Sequence, residues 1–118
     1  MADSGLFVGF GFAVRGRERQ AIQVFNEAFE YYSRLLQAGE IESFEPVLLE
    51  PHGGELDGFF LLRGDKDKLA HIRTSEEFER ITARGGLIVD HLGIVSAVLG
   101  ERLMSQISVF NQQVEELT

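Results

Sequence analysis

Cysteine and tryptophan are absent from this 118-residue chain, and only two prolines occur. Without cysteine there is no disulfide framework, no thiolate zinc site and no thiol nucleophile. Basic charge is scarce as well: 11 Lys and Arg stand against 19 Asp and Glu, a formal net charge of −8. Proteins that bind a nucleic-acid backbone carry a basic patch. Here the densest basic run, Arg15-Gly16-Arg17-Glu18-Arg19, is interrupted by Glu18. No nucleic acid and no membrane surface is expected as a partner. No apolar run approaches the ~20 residues of a membrane span. Met1-Ala2-Asp3-Ser4-Gly5 lacks the basic stretch and cleavage site of a secretory signal. A cytoplasmic, soluble protein is the expectation.

What the chain does contain is 44% hydrophobic residues, ten Phe and 13 Gly. That is a globular composition, and the length suits one domain, residues 1–118. The core is expected over 6–99, followed by a C-terminal helix over 101–117.

Leu6 to Val14 reads as a first strand, too rich in Gly and Phe for a helix. Leu6, Val8, Phe10, Phe12 and Val14 form a large apolar row. Phe7, Gly9, Gly11 and Ala13 form a small one. Arg17 to Ala38 is predicted helical, with Ile22, Phe25, Phe29, Tyr32 and Leu36 spaced by three or four and Gly39 as its C-terminal cap. Ile41 to Glu50 and Leu56 to Arg63 read as a hairpin around His52-Gly53-Gly54-Glu55. Pro46 marks the first of the two as an edge strand or the site of a bulge. Asp65 or Asp67 is expected to cap a short helix through Ile72. Thr74 with Glu77 fits the capping box of another helix, ending near Gly85-Gly86. Leu87 to Val89 is compatible with either state. Leu92 to Leu99 is the fourth strand.

In the last helix, Leu103, Ile107, Phe110, Val114 and Leu117 are spaced 4, 3, 4, 3. This is an a/d-type seam about two heptads long. It suits a helix packed on its own domain or one packed across a subunit boundary.

The order strand, helix, strand, strand, helix, strand is the α+β, ferredoxin-like βαββαβ pattern with an additional C-terminal helix. Both helices of that pattern lie on one sheet face, and the other face of a monomer is solvated. These strands do not alternate cleanly between apolar and polar, so both faces are expected to be covered. A second subunit or the last helix would do this.

Over Leu6 to Leu99 the chain resembles the dimeric α+β barrel superfamily. The element order and the Arg73-Thr74-Ser75-Glu76-Glu77-Phe78 entry to a helix carry the resemblance. It implies a homodimer in which two sheets pack face to face. The superfamily includes antibiotic-biosynthesis-type monooxygenases and YCII-like lyases or hydrolases. Its heme-degrading and cofactor-free oxygenases place an Asn on strand one and a Trp or His near helix two. This chain has neither that Asn nor any Trp.

Three histidines are the acid–base candidates near neutral pH. His52 lies in a Gly-flanked turn between Glu50 and Glu55, His71 in the short helix, and His91 after Asp90 at the entry to strand four. Each is equally readable as a surface or packing residue. Their spacing is not that of metal ligands, and the sequence calls for no metal and no cofactor. Gly9-Phe10-Gly11 lacks the remaining features of a nucleotide loop.

Small residues beside aromatic ones leave room for a ligand. Phe7, Gly9, Gly11, Arg15, Tyr32, Phe60 and Phe78 are the candidate lining of an apolar pocket between sheet and helices. The same glycines serve equally to let Phe rings pack closely. The leading expectation is a homodimer that binds an apolar or aromatic small molecule. Alternatives are a cofactor-independent monooxygenase or YCII-like lyase or hydrolase using a His, and a structural or regulatory dimerisation module. The residues do not identify a reaction.

Overall fold

The computed structural model describes residues 2–118. Its elements run β1 (Ser4–Phe10), α1 (Glu18–Gln37), β2 (Ser43–Leu48), β3 (Gly58–Gly64), α2 (Lys66–Arg73), α3 (Glu76–Gly86), β4 (Gly93–Val98) and α4 (Gly100–Leu117). The strands form one antiparallel sheet in the order β2-β3-β1-β4. This is the ferredoxin-like βαββαβ arrangement with an added C-terminal helix. Pro46 sits on the edge strand β2, where its missing N–H interrupts no inner ladder.

Helices α1, α2 and α3 cover one face of the sheet. Leu6, Val8, Phe60 and Leu62 from the strands meet Ala28, Tyr31 and Tyr32 of α1 and Phe78 and Ile81 of α3. Aromatic rings knit this layer: Phe60 lies 5.0 Å from both Phe25 and Tyr32, centroid to centroid. Stacked and edge-on pairs at this distance add to the burial itself.

Local chemistry fixes the helix ends. Gly39, at φ 75°, closes α1 in a Schellman motif, with Gly39 N–H donating to Leu36 O and Glu40 N–H to Leu35 O. Asp65 caps α2, accepting from the N–H groups of Asp67 and Lys68. The capping box expected at Thr74 is displaced by one residue. Ser75 is the cap of α3 and accepts from Phe78 N–H, whereas the Thr74 hydroxyl turns back to the α2 carbonyls of Ala70 and His71. With α2 ending one residue before it, Thr74 is claimed by the helix behind it rather than the one ahead.

The first strand is shorter than the expected Leu6–Val14, and its alternation fails at Gly11. The segment leaves β3 after Phe10, where Asp57 N–H donates to Phe10 O. It then runs beside residues 88–90, with an isolated bridge from Ala13 to Val89. Gly11 N–H donates to Asp90 O at 2.7 Å. A Cβ at Gly11 would lie 2.6 Å from that oxygen and 3.0 Å from Glu55 O, so only glycine fits between these backbones. Opposite it, His91 adopts φ 54°, a left-handed conformation that His tolerates better than most residues. The two strands therefore change parity at the same level.

The opposite sheet face carries Phe7, Phe59, Leu61, Val47 and Val95, by the register of the four strands. Phe7 and Phe59 are 5.0 Å apart, and Gly9 leaves the room into which the Phe7 ring leans. Among the described residues, no helix covers this face.

The C-terminal helix does not pack on its own domain. None of α4 is buried, and half of the large exposed apolar side chains of the described chain lie on it. Its root is tied down: Leu99 N–H donates to Asp3 O, and Arg102 donates to the buried Ser4 hydroxyl at 2.6 Å. Beyond that it projects. The radius of gyration is 16.4 Å, against about 13.5 Å for a spherical domain of this length.

Candidate functional site: an apolar cavity between α1, α3 and the sheet

The parity change at Gly11 opens space. Val8 and Phe10 face the helices, and after the step Gly11 and Ala13 face them too. Two small residues thus follow two large ones on the same side, and the helix layer cannot close down on them. The result is a cavity of about 360 Å³, roofed by α1 and α3 and floored by the sheet. This lies within the usual range for ligand pockets, about 300–1,000 Å³.

Its walls are Phe10, Phe25, Tyr32 and Phe60, with aliphatic carbons from Ile81, Ile88 and Leu92. Ile22 and Leu48 also line it while remaining well exposed, so they stand at its opening. Polar side chains are few: Glu18, exposed at the first turn of α1; Asp57, half-buried just before β3; Thr82 on α3; and the phenol of the buried Tyr32. Glu18 accepts from Gly16 N–H at 3.0 Å through one carboxylate oxygen. The neighbouring Arg17 guanidinium is turned to the Leu87 carbonyl at 3.1 Å and is not part of the lining. Among the described residues, no Lys, Arg or His lines the cavity.

The roof is held by ion pairs on its outer side. Arg84 of α3 forms two bonds to the Glu27 carboxylate of α1, at 2.8 and 2.9 Å, and Arg34 of α1 reaches Glu77 of α3 at 2.7 Å. The Arg84 hydrogen bond holds the Glu27 carboxyl below its ordinary range against a small opposing effect of burial. At Tyr32, burial first and the adjacent Tyr31 second push the phenol well above its ordinary range, so it stays neutral.

The candidate pocket residues divide between three places. Gly11, Tyr32 and Phe60 line the cavity. Phe7 and Gly9 lie on the uncovered sheet face. Phe78 is buried in the core without reaching the cavity, and Arg15 is exposed in the turn before α1. Simple alternation continues the Phe7 row through Gly11 and Ala13; the step in the strand separates them. Phe10, Phe25, Glu18 and Asp57 were missed as lining residues. Phe25 belonged to a recognised apolar stripe, but nothing local marks Asp57.

The three histidines are dispersed and exposed. His52 is engaged within its own turn: Gly54 N–H donates to Nδ1 at 3.2 Å and Nε2–H donates to Leu56 O at 2.6 Å. Both ring nitrogens are thus engaged within the turn. His91 Nδ1 is 3.6 Å from Glu55 on the surface. His71 lies in the last turn of α2. Among the described residues, no three His, Asp or Glu side chains gather closely enough to hold a metal ion. No helix there is long and apolar enough to cross a membrane.

No protein-family model matches the sequence, and no curated protein matches it. Solved structures do match the fold. A dimeric protein of unknown function with a ferredoxin-like fold, from Bacteroides fragilis, superposes with a TM-score of 0.61 at 14% identity, over 81% of this chain and 95% of that one. SnoaB, a cofactor-independent oxygenase from Streptomyces nogalater, superposes at 0.51 and 14% identity, over 86% and 95%. At this identity the likeness concerns the fold. The chain has a ferredoxin-like fold.

Proposed function

We propose that this chain is a single-domain, cytoplasmic homodimer that binds an apolar or aromatic small molecule in the cavity between α1, α3 and the sheet. The cavity carries the reading: it is walled by aromatic rings, opens past Ile22 and Leu48, and has only four polar side chains on its wall, the Tyr32 phenol included. Such a lining recognises shape and apolar area first, with few groups to fix orientation. Tyr32 serves as wall, its phenol kept neutral by burial.

A second copy of the chain suits the two uncovered apolar surfaces. On the open sheet face, Arg63 is paired with Glu45 at 3.0 Å, so two copies can meet there without an unmatched charge. From Leu103 to Val114 helix α4 contains no charged residue at all, in a chain of net charge −8. Solvated helices carry charge on their outer face, whereas interface cores are depleted of it. The dimeric Bacteroides fragilis neighbour, covered over nearly its whole length, supports the same assembly.

Two measurements test the reading. Light scattering at micromolar concentration is expected to give twice the chain mass; a monomer overturns the dimer. Leu103→Glu with Phe110→Glu is expected to weaken assembly with intact far-UV circular dichroism; an unchanged mass overturns the role of α4. Titration with the neutral aromatic fluorophore N-phenyl-1-naphthylamine is expected to show saturable binding. That binding should be lost in Gly85→Leu, because Gly85 lines the cavity and a Cβ there meets only the Leu92 side chain, at 3.6 Å. A probe that does not bind, or that binds a folded Gly85→Leu variant equally well, overturns the cavity as the site.

A further inference from the structure

The cavity has a chemical polarity that its apolar walls conceal. Of its four polar side chains, two are carboxylates, Glu18 and Asp57, and the others are the hydroxyls of Thr82 and the buried Tyr32. Glu18 and Asp57 belong to different layers, one at the start of α1 and one just before β3, so they approach the opening from the helix side and the sheet side. Glu18 spends one oxygen on Gly16 N–H and keeps the other. The Asp57 carboxylate has no hydrogen bond or ion pair to any described residue, although its backbone is fixed by bonds to Phe10 O and from Leu49 N–H. An ionised carboxylate can only accept hydrogen bonds. The guanidinium of Arg17, next to Glu18 in the chain, is engaged with the Leu87 carbonyl.

We infer that the ligand of this cavity is an aromatic or polycyclic molecule carrying a cationic amine, its ring body among Phe10, Phe25 and Phe60 and its ammonium at the rim between Glu18 and Asp57. This rests on the proposed binding role of the cavity and narrows it to one class. The apolar walls desolvate the ring and offer aromatic faces, to which a cation is also attracted. The rim supplies two negatively charged acceptors, the exposed Glu18 and the half-buried Asp57. An acid-bearing ligand of the same shape, such as a fatty acid or an aromatic sulfonate, meets like charge at that rim and is selected against.

Three fluorescent or absorbing probes with related bodies separate the possibilities: neutral N-phenyl-1-naphthylamine, its anionic sulfonate 1-anilinonaphthalene-8-sulfonate, and cationic N-(1-naphthyl)ethylenediamine. The full chain at low salt is expected to bind the cationic probe at least about tenfold more tightly than the anionic one. The gap should narrow as salt is raised, because the rim is solvent-accessible. In Asp57→Asn with Glu18→Gln, the cationic-to-anionic affinity ratio is expected to fall to within about threefold. Binding of the neutral probe with no charge preference, or a preference that survives both substitutions, overturns the amine assignment and leaves the cavity reading standing. Failure of all three probes overturns both. The Asp57→Asn single variant provides the same ratio should the double variant not fold.

Discussion

Gly11→Ala tests the link between the strand irregularity and the cavity. The added Cβ would sit 2.6 Å from Asp90 O, where ordinary contact begins at 3.4 Å, so 3.4 − 2.6 = 0.8 Å must be made up. Both close neighbours, Asp90 O and Glu55 O, are backbone, on opposite segments, and neither can rotate away. Parting the strands by that amount takes the 2.7 Å bond from Gly11 N–H to Asp90 O to the edge of hydrogen-bonding range. Overpacking of this kind costs about 1–3 kcal/mol, and an unsatisfied buried donor about 1–3 kcal/mol. Against this, alanine lowers the entropy of the unfolded chain by about 0.4–1 kcal/mol. The expected net loss is about 3 kcal/mol, or roughly 10 °C in Tm for a domain of this size. Gly93→Ala is the control. It lies in β4 with nothing within 4 Å of its Cβ and no left-handed φ, so its stability should be unchanged or slightly raised. Both variants are unfolded with urea and heat at one fixed protein concentration, because assembly contributes to apparent stability. If Gly11→Ala falls within about 0.5 kcal/mol of Gly93→Ala, the close approach does not constrain this strand as argued.

Other perturbations isolate other contacts. Gly39→Ala meets no atom within 4 Å, so its cost is purely that of φ 75° in a residue with a side chain. About 1 kcal/mol should be lost in urea unfolding, with Gly39→Asn recovering part of it. Glu27→Gln weakens the clamp between α1 and α3. Because Arg84 lowers the folded-state ionisation of Glu27 below its ordinary value of 4.5, the pair stabilises the fold above that pH and is lost as pH falls through the lower folded value. The variant should therefore be less stable than the parent at pH 7. The gap, no more than about 1 kcal/mol for a pair this exposed, should close in acid. A gap independent of pH would mean that the loss comes from packing and not from the ion pair.

The element order was legible from the chain because each element carries its own signal. Apolar residues at spacings of three and four mark α1, Gly39 ends it, Pro46 identifies an edge strand, and two glycine-rich turns delimit the hairpin and α3. These are local rules, satisfied within a few residues of one another. The one-residue error at the α3 cap shows their limit. Thr74 and Ser75 are both competent caps, and only the end of α2 decides between them.

The site was less legible because it depends on contacts between distant segments. Alternation along β1 put Gly11 with Phe7, on the wrong side of the sheet. The strand changes parity where backbone from residues 55 and 90 closes on Gly11, which no local pattern encodes. Asp57 acquires its place at the cavity rim from the same junction. The histidines stood out by residue type alone, and the fold leaves them on the surface.

The seam of α4 was determined by the sequence, as were the shortage of basic charge and the absence of cysteine that exclude whole classes of partner and chemistry. Periodicity says which side of a helix is apolar, not what that side meets. The tertiary structure decided the rest: no residue of the seam is buried against the described chain, the open face of the sheet stays uncovered by the described helices, and small residues after Phe10 hold a cavity open. Each outcome depends on how separate segments are brought together, and packing between segments is settled only when the whole chain is folded.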